Sequence, residues 1–214
     1  MNHQFRTYLV TGAARSGARS TVDVVQAAID GGVDAVQLRE KGATARERYH
    51  LGRELRATTR DAGVPLVVND RIDLARAVDA DGVHLGDDDL PVRVAREQLG
   101  EDAIVGRSVS TVEGARDAEA AGADYLGVGA VFRTDSKDVS DEQSEVGLDR
   151  VRAIREATAL PFVGIGGITV ANAESVAAAG ADGVAVISAI TAADDPRRAT
   201  EQLGEAVAAG RAGR

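Results

Sequence analysis

Three residues of one short run could grip a polyanion. In "VQLREK", Val36 to Lys41, the residues Gln37, Arg39 and Lys41 alternate with Val36, Leu38 and Glu40. Successive side chains of a strand point to opposite faces, so an extended run separates the two sets. Arg39 then acts as a planar fork and Lys41 as a compact point charge on the same face. The competing reading is a solvated strand end with an Arg–Glu pair. Lys41 and Lys137 are the only lysines in the chain, all other basic residues being arginine.

A second group could hold a hard cation. One apolar run ends in Asn69 and Asp70, and the next is followed by Asp87, Asp88 and Asp89. Asp70 with an Asp of this cluster suits Mg²⁺, which keeps several waters and takes phosphate oxygens into its shell. Asp89 could instead cap the helix that begins "LPVRVAREQL". His84 has no second histidine nearby, which argues against a zinc site, and it could be structural.

A third group could cradle a phosphate. "VGIGGIT" sets Gly164, Gly166 and Gly167 just before a helix expected near Thr169 to Ala171, and "VISAIT" sets Ser188 and Ala189 before the last helix. Glycine lets backbone approach a phosphate, and helix starts offer N–H groups to it. "GVGAVFRTDSK" adds Thr134, Ser136 and Lys137. The pattern implies two phosphorylated substrates. A Ser-His-Asp set, a catalytic carboxylate pair and a lysine buried within a strand are all missing, and chemistry driven by a leaving group needs none of them.

These groups need a frame that brings strand ends together. Eight short apolar runs, from "TYLVTG" to "GVAVIS", alternate with segments of helical period. Such alternation predicts an α/β fold, a single-domain (β/α)8 TIM barrel over residues 1–214. A doubly wound open sheet is the alternative. A repeat favours the barrel: "GGVDAV", "DADGVHL", "AGADYLGV" and "AGADGVAVI" place Asp34, Asp81, Asp124 and Asp182 before every second strand. Ser20 or Thr21 should cap the first helix, and Ser110 with Glu113 should form a capping box further on. One long acidic loop, residues 133–147, follows the sixth strand. On a barrel it lies at the mouth formed by the C-terminal strand ends, where substrates bind.

Composition narrows the function. The 214 residues carry a formal net charge of −9, which suits neither nucleic acid nor anionic lipid. There are no cysteines, so disulfides, thiolate metal sites and cysteine nucleophiles are excluded. The start of the chain shows no signal peptide pattern and no run is long enough to span a membrane. A soluble cytoplasmic protein is expected.

At this point the sequence closely resembles the thiamine-phosphate synthase family, also called thiamine-phosphate pyrophosphorylase. The matching pieces are "QLREK", "VVNDR", "DGVHLGDDD", "GRSVST", "YLGVGAVFRTDSK", "VGIGGIT" and "ADGVAVISAI". The resemblance implies a transferase that joins hydroxymethylpyrimidine diphosphate to a thiazole monophosphate. The products would be thiamine monophosphate and pyrophosphate, formed through a dissociative, Mg²⁺-assisted substitution. It implies that Gln37, Arg39, Lys41, Asn69 and Lys137 hold the pyrimidine diphosphate, with Arg39, Lys41 and Lys137 as catalytic stabilisers of the leaving group. Asp70 and Asp89 would ligate Mg²⁺, and Ser108 would contact the pyrimidine. Thr134, Ser136, Gly167, Ile187 and Ser188 would bind the thiazole phosphate.

Two departures stand out: "GAVF" replaces the family's "GPxF", and "DDD" replaces its Gln-Glu-Asp or Gln-Asp-Asp. The alternatives are a thiazole tautomerase-like enzyme of the same barrel type and a non-catalytic thiazole-phosphate sensor. Homo-oligomer formation is left open. The Asp-rich, Lys-poor surface suggests a halophile-like protein. It should stay soluble and folded in molar KCl, measured by light scattering and circular dichroism, and precipitation there would refute the suggestion.

Overall fold

The computed structural model describes residues 5–12, 16–134 and 147–214. Eight parallel strands close into a barrel in sequence order, with the last pairing back to the first. They are β1 (Thr7–Val10), β2 (Ala35–Leu38), β3 (Leu66–Asn69), β4 (Gly82–Leu85), β5 (Ile104–Val109), β6 (Tyr125–Gly129), β7 (Phe162–Ile165) and β8 (Gly183–Val186). Between them run α1 (Thr21–Asp30), α2 (Ala45–Ala62), α3 (Ile72–Val78), α4 (Val92–Leu99), α5 (Val112–Ala120), α6 (Gly147–Ala157) and α7 (Val170–Ala178). A short α8 (Ser188–Thr191) precedes the closing helix α9 (Pro196–Ala212). The open sheet is thereby excluded.

Local sequence sets the helix ends. Ser20 caps α1 by accepting from the Asp23 N–H at 3.0 Å. Thr44 and Glu47 form a reciprocal capping box on α2, which stops at Gly63 in a left-handed conformation, φ 69°. The expected box of Ser110 and Glu113 does not form. Thr111 is the cap of α5, its Oγ1 accepting from the Gly114 N–H. The strand runs to Val109, so the chain turns into its helix one residue later than the S-x-x-E spacing suggests.

Two apolar layers follow from the alternation of strand residues. Leu9, Val36, Leu38, Val83, Leu126 and Val184 pack outward against helix residues such as Val25, Leu55, Ile154 and Leu203. Phe5, Tyr8, Val10, Ala35, Ile104, Tyr125, Val163 and Ala185 fill the barrel interior. Gly106 makes room there: a Cβ on it would stand 2.3 Å from the Tyr125 ring and 2.5 Å from His84 Nδ1. No helix among the described residues is long and apolar enough to cross a membrane.

The repeated aspartates brace the closed end of the barrel. Asp34 accepts from the N–H of Thr7, Asp81 from Leu66, Asp124 from Val105 and Asp182 from Phe162, at 2.7–3.0 Å. In return, the N–H of each aspartate donates to the carbonyl of that same residue. Every odd strand is thus tied at its start to the even strand that follows. An arginine completes each tie: Arg6, Arg56, Arg96 and Arg155 stand 3.5, 2.7, 2.8 and 3.2 Å from Asp34, Asp81, Asp124 and Asp182. Asp182 is the most buried of the four, its side chain 11% exposed. Removing it leaves a buried strand N–H and an arginine without their acceptor. Asp182→Ala should cost about 2–4 kcal/mol in denaturant unfolding. A loss below about 0.5 kcal/mol, the range of ordinary surface substitutions, would show that the tie is not structural.

Candidate active site

The C-terminal strand ends surround a cavity of about 310 Å³. Gln37, Arg39, Asn69, Ser108, Thr134, Gly167, Ile187 and Ser188, all singled out from sequence, line it. Lys41, Asp70 and Asp89 stand at its rim rather than among the lining residues. Ser136 and Lys137 lie outside the described residues.

The run "VQLREK" divides as its alternation requires. Val36 and Leu38 are buried among the helices, whereas Gln37 turns to the barrel axis, only 5% exposed. The chain past β2 is held to β1 through Thr11. The Thr11 N–H donates to the Gln37 carbonyl, and Thr11 Oγ1 accepts from the Arg39 N–H, both at 2.9 Å. This buried threonine fixes the backbone from which Arg39 and Lys41 project.

Asp70 sits at the end of β3 in a left-handed conformation, φ 64°. Its N–H donates to the His84 carbonyl at 2.8 Å, which anchors the turn to β4. Its carboxyl is pushed up to about 6, first by burial, then by the neighbouring Asp89 carboxylate, to which it is also hydrogen-bonded. Lys41 and Arg39 pull it the other way. The two cations and two carboxylates, from β2, β3 and β4, therefore share one electrostatic neighbourhood. Asp89 does not cap α4: Pro91 occupies that position without a side-chain hydrogen bond. The Asp89 carboxylate folds back to accept from the Gly86 N–H at 2.6 Å. Asp87 turns away and pairs with Arg107 at 2.7 Å.

Two carboxylates in mutual contact form a hard, anionic oxygen site that a divalent cation fits. The described residues include no cluster of three or more metal-ligating side chains, so the rest of a shell there would come from water and substrate oxygens.

The opposite wall is backbone-rich. Gly166 and Gly167 have φ of 101° and 63°, and a Cβ on Gly167 would stand 2.5 Å from the Arg133 carbonyl oxygen. Glycine is needed both for the turn and for the approach of the segment after β6. At the start of α7, the Asn172 side chain accepts from the Thr169 N–H at 2.8 Å. Ser188 does not lead directly into the closing helix, as expected from sequence, but opens the separate short turn α8.

The floor holds side chains that motif reading missed. Gln37 Nε2 donates to Tyr8 Oη at 3.0 Å, and Tyr8 Oη lies 2.8 Å from Tyr125 Oη. Tyr125 Oη meets His84 Nδ1, and His84 Nε2 meets Ser108 Oγ, both at 2.9 Å. Burial pushes Tyr8 up to about 12 and Tyr125 well above its ordinary value. Phe5 closes the floor, edge-on to both tyrosine rings at 5.5 and 5.3 Å. Applying the inside-outside alternation to "TYLV" and "YLGVG", as to "VQLREK", would have turned Tyr8 and Tyr125 inward.

The sequence profile described as thiamine monophosphate synthase matches residues 7–190. The chain belongs to this family. A thiamine-phosphate synthase of Natronomonas pharaonis is 72% identical over 97% of both chains. That of Haloarcula marismortui is 66% identical over 95% of this chain and 97% of its own. Among solved structures, a thiamine phosphate pyrophosphorylase from Pyrococcus furiosus superposes with a TM-score of 0.87 at 42% identity, covering 98% of each chain. The transferase function and the barrel expected from the motifs are those of the thiamine monophosphate synthase family.

The Asp70 carboxyl makes a pH test available. Its raised value means that the fold favours the neutral form. Its contribution is therefore favourable below the usual range near 4 and is lost as pH rises through about 6. Asn tolerates the same left-handed conformation without the charge. In EDTA, Asp70→Asn should melt higher than the parent above pH 6, with the gain vanishing toward pH 4. A gain independent of pH would contradict the electrostatic account.

Proposed function

We propose that this cavity condenses 4-amino-2-methyl-5-hydroxymethylpyrimidine diphosphate with 4-methyl-5-(2-phosphooxyethyl)thiazole. The observation that carries this reading is the meeting of Arg39, Lys41, Asp70 and Asp89 at one side of a cavity whose other side is the Gly167, Ile187 and Ser188 backbone. Charges for a diphosphate and a cradle for a monophosphate then face one enclosed space.

Arg39, Lys41 and Lys137 take up the charge that grows on the diphosphate, while Gln37 and Asn69 hold it in place. Asp70 and Asp89 would hold Mg²⁺, which would supply further positive charge for the same neutralisation. The bond from the pyrimidine methylene to the diphosphate oxygen breaks, and its electron pair leaves with pyrophosphate. The methylene cation left behind is captured by the thiazole ring nitrogen, which carries no proton, so no base is required. Electrostatic stabilisation of the departing charge is the main catalytic contribution. Thr134, Ser136, Gly167, Ile187 and Ser188 orient the thiazole phosphate, and Ser108 contacts the pyrimidine. Substrates this highly charged do not cross a bilayer unaided, which supports a cytoplasmic location.

The purified protein, given both precursors and Mg²⁺, should form thiamine monophosphate and pyrophosphate in equal amounts. Lack of product in both dilute and molar salt would sink the reading. Lys41→Ala should lower turnover by about 10²-fold while leaving thiazole phosphate binding nearly intact. Equal damage to both would contradict the division of the cavity.

A further inference from the structure

The five side chains from Gln37 to Ser108 form one hydrogen-bonded line across the cavity floor, and the substitution chemistry leaves its middle members without a task. Tyr8 and Tyr125 are each 1% exposed, and His84 is 8% exposed. Their protons can be counted. A phenol, a serine hydroxyl and a neutral imidazole each have one to donate.

The Gln37 amide presents its nitrogen to Tyr8, so the Tyr8 oxygen already receives a proton there. The Tyr8 proton must then go to Tyr125, and the Tyr125 proton to His84 Nδ1. With Nδ1 accepting, the neutral ring carries its proton on Nε2 and gives it to Ser108 Oγ. Ser108 is left with its own proton for the cavity. Gln37, at the other end, is left with its carbonyl oxygen as an acceptor. The reverse order is self-consistent only if the amide turns over and every link reverses with it. Any mixture sets two protons, or two lone pairs, against each other in a buried place.

We propose that Tyr125 is a positioning residue that passes the amide orientation of Gln37 to Ser108 through the His84 tautomer. Ser108 is thereby held as a hydrogen donor to the pyrimidine diphosphate. The substrate assignment rests on the proposed function; the tautomer does not. Ring nitrogens and phosphate oxygens are both acceptors, so a fixed donor at Ser108 suits this substrate at either place.

Histidine-selective ¹⁵N NMR on the ligand-free protein tests the relay directly, with His84→Asn used to assign the ring among the three histidines. The parent should show His84 protonated on Nε2 and bare on Nδ1; a proton on Nδ1 overturns the proposal. Tyr125→Phe should make the ring populate both tautomers. It should also lower kcat/KM for the pyrimidine diphosphate about tenfold, with KM for the thiazole phosphate changed less than twofold. In a Ser108→Ala background the same substitution should add almost nothing, because Tyr125 acts through Ser108. Full additivity overturns the relay. If Tyr125→Phe does not fold, Tyr8→Phe serves instead. It cuts the line between Gln37 and Tyr125, so the ring should again populate both tautomers, and a ring that stays wholly in the Nε2–H form overturns the relay. Failure of the parent to turn over both precursors would count against the synthase reading and leave the tautomer result standing.

Discussion

A strand in a closed barrel has one face toward the axis and one toward the surrounding helices, and slipping by one residue would exchange the two. Eight strands must keep this parity together, because each is held by two neighbours and none lies at an edge. Apolar burial between barrel and helices sets it: Val36 and Leu38 go out, and Gln37 is forced in. The carboxylate ties at Asp34, Asp81, Asp124 and Asp182 fix where each pair of strands begins. Once start and parity are set, the residue that reaches the mouth of each strand is set as well.

The cost of that arrangement appears at the mouth. Asp70 and Asp89 repel, and burial adds to the difficulty of charging Asp70. Arg39 and Lys41 relieve part of this, but neither closes a salt bridge onto the pair among the described residues. An unresolved concentration of charge is a poor way to stabilise a fold and a good way to receive charged ligands. The polar floor beneath is the opposite case. Each of its links is satisfied, and Gly106 and Gly127 leave space for the rings that make them. The cavity thus has a rigid base of neutral hydrogen bonds under a rim of unbalanced charge.

Much of this was legible from the chain alone. Alternating apolar runs and helical segments gave the barrel, and the Asp before every second strand marked its repeat. The meeting of the "VQLREK" cations with the acids after the third and fourth strands was readable because charge at a strand end breaks an apolar pattern. Tyr8 and Tyr125 were not read, because an aromatic in an apolar run looks like ordinary core. Their hydroxyls matter only when two strands distant in sequence face each other across the axis. The cap of α5 was misplaced by one residue, since Ser110 and Thr111 both suit a cap and only the length of β5 chooses between them. The alternative reading of Asp89 as a helix cap failed because Pro91 holds the cap position of α4 and the Asp89 carboxylate folds back onto the Gly86 N–H.

The sequence by itself determined the parity of each strand, the two lysines and their motifs, and the family to which they belong. Those are properties of local period and residue type, and neither depends on what lies across the barrel. Only the tertiary structure decided which groups meet: Asp70 with Asp89, the Arg39 backbone N–H with the Thr11 hydroxyl, and Tyr8 with Tyr125. Barrel closure brings together strand ends far apart in the chain, and buried polar groups must then find their partners across that gap.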